Sequence, residues 1–228
     1  MFLQVNCTIF DGMKTNNSIH GMTSKQASNV KKKGHKREKE RQYILSTNGI
    51  GSQIIKGTTK PDILRDDNLL ESVKGGRKTQ WYLFSVDKVL ECDYFSDSEK
   101  SIFKKWGSCF DTPNLFCEEM CNTIKKDPHK WVNFFIGTQH FDLMVIKDYR
   151  DGKWYEFDSK DFVNKIMSNV NEIYYNGTKV VFKGGGANIW PEQKRKHGGV
   201  ILMELDRRSS KKRSLFHSKI EYIIDCLK

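Results

Sequence analysis

No window of the 228-residue sequence approaches roughly 18 uninterrupted apolar residues, so a transmembrane helix is not expected. The opening MFLQVNCTIFDGM lacks a charged leader and a long apolar stretch, so no secretory signal is expected and a cytoplasmic location follows. The six cysteines (Cys7, Cys92, Cys109, Cys117, Cys121 and Cys226) are scattered, which argues against a disulfide framework. Cys117 and Cys121 share a helical face, but with Cys109 and His129 they match no zinc spacing, so core packing is the expectation. The histidines at 20, 35, 129, 140, 197 and 217 show no His-Asn-His nuclease grouping. Gly184-Gly185-Gly186 is not followed by Gly-Lys-Ser/Thr, which excludes a P-loop there. There is no internal repeat.

What is present is positive charge. The chain carries 39 Lys+Arg against 28 Asp+Glu, a net charge of +11. Residues 22–41 and 194–213 each contribute +6, and the remainder sums to −1. Two basic windows around a near-neutral body suit phosphate-binding arms, and nucleic acid is the expected partner. Lys31, Lys32, Lys33, Lys36 and Arg37 belong to the first window. Lys194, Arg195 and Lys196 belong to the second, beside Trp190-Pro191. With 37% hydrophobic and 12% aromatic residues the chain has ample material for a core.

Along the chain, residues 1–21 read as a loose or accessory segment and 22–228 as one domain. A basic helix is expected over 24–46. Residues 60–74 read as a β-hairpin turning at Asp66-Asp67-Asn68 and stopping at Gly75-Gly76. Thr79 caps an expected helix through QWYLFSVDKVLE, and DSEKSIFKKW and PNLFCEEMCNTIKK read as two more. WVNFFIG, FDLMVIKDY, KWYEFD, TKVVFKGGG and GGVILMELD read as strands, DFVNKIMSNVNEI as a helix, and SLFHSKIEYIIDCLK as a closing amphipathic helix with Leu215, Ile220, Ile223 and Ile224 on its apolar side. This alternation predicts a mixed α/β fold with one central sheet flanked by helices.

The hairpin carries the chemistry. With a three-residue turn, Arg65 pairs with Leu69 and Asp62 with Ser72, so Asp62, Ser72 and Lys74 share a face. A two-residue turn would instead pair Asp62 with Glu71 and turn Lys74 away. A carboxylate beside a lysine at a strand end is what metal-dependent phosphodiester cleavage needs: the acid binds Mg²⁺, and the ammonium orients water and stabilises developing charge.

Pro61-Asp62, the hairpin, and Ser72-Val73-Lys74 together resemble the PD-(D/E)XK nuclease superfamily, and within it the type II restriction endonucleases. Gly34-His-Lys-Arg-Glu38 resembles the G-x-x-x-E of that family's first helix, and Gln80-Trp-Tyr-Leu-Phe84 its glutamine-led helix. The resemblance covers about 34–91, with DNA recognition then placed within 125–215. It implies a restriction-endonuclease-like fold, Mg²⁺ as cofactor, double-stranded DNA as substrate, a homodimer, a cognate DNA methyltransferase, and no membrane. It also implies roles for Asp62, Lys74, Ser72 and Glu38, and for Gln80 at DNA. Ser72 stands where the family's second acid does. Glu71 is the first substitute for that acid, although regular alternation puts it on the wrong face. Asp87 and Glu91 follow, because a helix over 80–91 would align Gln80, Phe84, Asp87 and Glu91, and Glu38 comes last. The expected activity is sequence-specific duplex cleavage. The alternatives are a repair or junction-resolving nuclease, or a nucleic-acid-binding protein without catalysis.

Overall fold

The computed structural model describes residues 24–57, 61–109, 115–177, 179–185, 199–208 and 213–227. The basic helix forms as α1 (Ser24–Thr47). Lys, Arg, Glu and Gln sustain it with intrinsic helix propensity, and among its described side chains those buried, Arg41 and Leu45, belong to its C-terminal half. Gly34 lies inside it without ending it. Then follow β1 (Ser52–Ile54), β2 (Ile63–Arg65) and β3 (Leu70–Gly75). Asn68 has φ 66°, and the Arg65 N–H donates to the Leu69 carbonyl at 2.9 Å. The turn is therefore the three-residue kind with a left-handed last position, which asparagine tolerates. Ile63 pairs with Glu71 and Leu64 with Leu70, the register expected for that turn.

The expected helix over 80–91 is mostly a strand. β4 (Lys78–Ser85) precedes a short α2 (Val86–Glu91). The reason is a partner far along the chain: β4 pairs antiparallel with β10 (Arg213–Lys219). Buried Trp81 donates its indole N–H to Ser218 Oγ at 2.6 Å and meets Phe162 edge-on at 5.6 Å. Tertiary pairing overrides a 3.6-residue pattern that aromatic and β-branched residues fit equally well as a strand. Trp81→Ala is expected to lower the unfolding free energy by about 3–5 kcal/mol, measured by urea denaturation.

Helix α3 (Asp97–Ser108) forms as expected, and α4 (Cys117–Lys126) forms within the expected 113–126 but starts after Leu115 and Phe116, residues 113–114 lying outside the described ones. The WVNFFIG run is not a strand but lies in α5 (Pro128–Ile136). Asp127 caps that helix, accepting from the Lys130 N–H at 3.1 Å, Pro128 opens it, and Gly137 at φ 77° closes it. Its apolar run is continuous because helix and core surround it; Trp131, Val132, Phe134, Phe135 and Ile136 are all buried. Next come β5 (Leu143–Lys147), β6 (Trp154–Asp158), α6 (Ser159–Met167), β7 (Val170–Tyr175), β8 (Lys179–Gly184) and β9 (Val200–Arg208). The helix expected over 161–173 ends at Met167, and Asn171, Glu172 and Ile173 belong to β7. The final segment divides: Leu215 lies in β10, and only α7 (Ile220–Leu227) is helical, burying Ile220, Ile223 and Ile224.

The fold is a mixed α/β one with a five-stranded mixed sheet in the order β1-β2-β3-β5-β6. β3 and β5 run parallel, and the other pairs are antiparallel. The single expected sheet is joined by a second, antiparallel one, β4-β10-β9-β8-β7. One large apolar cluster takes Met144 and Ile146 from the first sheet, Phe182, Leu205 and Phe216 from the second, and side chains of the helices. The opposite face of the first sheet carries a smaller cluster, Leu45, Ile63 and Val73, under α1.

Candidate active site

Because successive strand residues alternate faces, β3 divides its side chains between two environments. Glu71 and Val73 turn toward α1, while Ser72 and Lys74 turn the other way. The Asp62 N–H donates to the Glu71 carbonyl at 2.8 Å, which brings Asp62 opposite Ser72. The next outward N–H of β3, that of Val73, donates to Asp62 Oδ2 at 2.7 Å. The same oxygen accepts from Lys74 Nζ at 3.1 Å and Ser72 Oγ at 3.3 Å. Lys74 Nζ also donates to the Val73 carbonyl at 3.2 Å.

The result is a compact group at the carboxyl end of β3. Asp62 Oδ2 is held by three donors, while no described residue bonds Oδ1. An ammonium has three donors, of which Lys74 uses two among the described residues. The side chains are 13% exposed for Lys74 and 23% for Asp62, so the pair is largely desolvated yet still open to a ligand. Partial desolvation strengthens the pair's interaction with any charge that develops beside it.

Glu71 is not part of this group, a correction to its place as the foremost second acid. It is fully buried on the α1 face, where it accepts from Arg41 Nε at 2.9 Å and Arg41 Nη2 at 2.7 Å. Arg41 Nη2 also meets Glu156 Oε1 at 2.9 Å, and Arg65 Nη1 stands 3.6 Å from Glu71 Oε1. Burial works against the Arg41 charge, but the bonds and charges of Glu71 and Glu156 outweigh it and hold the guanidinium above its ordinary pKa. There is no bulge at Glu71 to rotate it, because β2 and β5 both pair regularly with β3 there.

None of the other expected acids makes a hydrogen bond or ion pair with Asp62, Ser72 or Lys74. Glu38 bonds His35 on its own helix at 2.9 Å. Asp87 and Glu91 are exposed on α2, and the helical face that was to align them with Gln80 does not exist, since Gln80 sits in β4 with its backbone opposite His217. Among the described residues no three His, Cys, Asp or Glu side chains are grouped to hold a metal ion. One acid still suits Mg²⁺, which usually takes one or two carboxylates and completes its shell with water and substrate phosphate oxygens. The free oxygen of Asp62 fits that pattern.

Lys31, Lys32, Lys33 and Lys36 are exposed along α1, as phosphate contacts require. Arg37 instead lies against Gly75 and Gly76 at the end of β3. Trp190, Lys194, Arg195, Lys196 and residues 1–21 lie outside the described residues. Cys117 and Cys121 are buried in α4, where Trp106 donates its indole N–H to Cys117 Sγ at 3.3 Å and burial pushes the Cys121 thiol up. No described helix is long and apolar enough to cross a membrane.

Sequence reasoning missed the Arg41–Glu71–Glu156 cluster. A signal was present: Arg37, Arg41 and Leu45 recur at intervals of four and so share one helix face. The cross-strand group on β8, β9 and β10 was missed too. There His217 Nε2 lies 2.9 Å from Asp206 Oδ2, and Lys179 Nζ donates to Glu204 Oε1 at 3.0 Å. It escaped notice because Lys179, Glu204, Asp206 and His217 meet only once three strands are in register.

No protein-family model and no curated protein matches the sequence. Among solved structures the chain is similar to the restriction endonuclease MspI in complex with its cognate DNA, at a TM-score of 0.42 and 11% identity, over 74% of this chain and 70% of that one.

Proposed function

We propose that this protein is a Mg²⁺-dependent, sequence-specific endonuclease of double-stranded DNA, of the type II restriction kind, acting as a homodimer beside a cognate methyltransferase. The observation that carries the reading is the 3.1 Å contact between Asp62 and Lys74, closed by Ser72 and the Val73 N–H. That contact agrees with the chemistry expected of Pro61-Asp62…Ser72-Val73-Lys74. Asp62 would hold Mg²⁺, which when bound polarises a phosphate oxygen and lowers the pKa of water. Ser72 and Val73 fix the carboxylate, so the acid does not reorganise during reaction. The unused donor of Lys74 serves an oxygen of the phosphate or the attacking water. Water then bonds to phosphorus as the phosphoester bond breaks, and the departing sugar oxygen takes up a proton. The exposed lysines of α1 supply sequence-independent attraction to the backbone.

The test is incubation of the protein with assorted duplex DNA, with Mg²⁺ and with EDTA. Discrete fragments with fixed ends are expected with Mg²⁺, and intact DNA with EDTA. Ends that follow structure, such as branch points, would indicate a junction-resolving or repair enzyme. Duplexes that are bound but stay uncut in Mg²⁺ would overturn catalysis and leave a binding protein.

A further inference from the structure

Gly75 and Gly76 end β3 immediately beyond Lys74, and Arg37 of α1 rests on them. A Cβ on Gly75 would stand 3.1 Å from Arg37 Cδ and Nε and 3.2 Å from the Lys147 carbonyl oxygen. Gly76 has φ 93°, and a Cβ there would stand 3.0 Å from Arg37 Nη2. The guanidinium therefore lies on a floor that two residues without side chains leave open.

The same guanidinium makes no hydrogen bond or ion pair with any described residue. This contrasts with Arg41 one turn later, which is bonded twice to Glu71. Glu40, the acid whose charge Arg37 feels, forms an ion pair with Lys147. Burial lowers the Arg37 pKa from its ordinary value, with Glu40 opposing. A partly desolvated cation that keeps its donor fork unoccupied is matched by an oxyanion able to accept two parallel N–H bonds.

We propose that Arg37, seated on Gly75 and Gly76, is a phosphodiester-binding residue that grips a backbone phosphate adjoining the one acted on at Asp62 and Lys74. This rests on the nuclease reading for the identity of the polyanion, but the seat itself is independent of cleavage. Lys147, whose carbonyl also borders Gly75, differs in kind: its ammonium is engaged by Glu40 and lies over the Trp154 ring at 5.5 Å.

The experiment measures binding of a labelled duplex in EDTA, where no cleavage intrudes, for the wild type, Arg37→Gln, Arg37→Lys and Lys104→Gln. Lys104 is an exposed residue of α3 and controls for the loss of one charge. Arg37→Gln is expected to bind about tenfold more weakly and to flatten the plot of log affinity against log salt by about one unit. Lys104→Gln is expected to stay within about twofold, and Arg37→Lys to recover only part of the loss, because an ammonium lacks the fork. Thermal unfolding checks that each variant is folded. In the wild type, the Arg37 Nε–H resonance is expected to move on titration with inorganic phosphate. An Arg37→Gln affinity equal to that of Lys104→Gln, or an Arg37 resonance unmoved by phosphate and by duplex alike, would overturn the proposal. Absence of Mg²⁺-dependent cleavage with the Arg37 effects intact would overturn the nuclease reading and leave the seat standing.

Discussion

Asp62→Ala is expected to lower the rate of Mg²⁺-dependent duplex cleavage by about 10³-fold, and Lys74→Ala by about 10²–10³-fold. Asp62 is the one carboxylate of the group among the described residues; its loss would take away the proposed anchor for Mg²⁺, and the several kcal/mol of charge stabilisation such an ion supplies correspond to about that factor. Loss of Lys74 removes a preorganised donor, an effect of about 10²–10³. Both side chains sit at the surface end of β3 outside the apolar clusters, so both variants should keep the wild-type unfolding midpoint to within a few degrees. Single-turnover cleavage with enzyme in excess separates chemistry from DNA binding. Affinity measured in EDTA should survive in Asp62→Ala and rise if anything, since a negative charge beside the phosphate is gone. Ser72→Ala should have a smaller effect, about tenfold or less, because the Val73 N–H and Lys74 still hold the carboxylate. Unchanged cleavage in Asp62→Ala would remove the site from this place in the fold.

Arg41→Ala is expected to cost about 3–5 kcal/mol of stability, since it leaves the Glu71 carboxylate buried with Arg65, at 3.6 Å, as its one remaining cation among the described residues. The measurement is urea unfolding of the single variants and of the double variant Arg41→Met/Glu71→Leu. The double variant should regain much of the loss, because well-packed apolar groups replace a buried ion pair at little cost. The same variants separate structure from chemistry. At a temperature where Glu71→Gln remains folded, its cleavage rate should stay within about tenfold of the wild type. A metal ligand would instead lose about 10³-fold on that change, as Asp62 should. Glu71 thus has a purely architectural expectation: it ties α1 to β3 from the far side of the sheet. Its carbonyl receives the Asp62 N–H at 2.8 Å, so the ion pair and the site share one strand.

The local features of this chain were legible in its residues. Asp66-Asp67-Asn68 marked where the chain turns but left a two- or a three-residue turn open; the left-handed φ of Asn68 and the Arg65–Leu69 bond give the three-residue form, from which strand alternation puts Asp62, Ser72 and Lys74 on one face. The same alternation already placed Glu71 on the other face. The charged composition of α1 was equally local. What the sequence left undecided involved partners distant along the chain. β4 reads as a helix until β10, some 130 residues later, pairs with it. α5 reads as a strand because burial on all sides erases the periodicity that distinguishes the two. Charge followed the same division. The sequence located +6 within residues 22–41, but only packing sorted those cations. Lys31, Lys32, Lys33 and Lys36 face solvent, Arg41 is enclosed by Glu71 and Glu156, and Arg37 lies on two glycines with its donors unclaimed by the described residues. Composition counts charges, whereas solvation decides which of them a phosphate can reach, and solvation is settled only when the sheet and helix have packed.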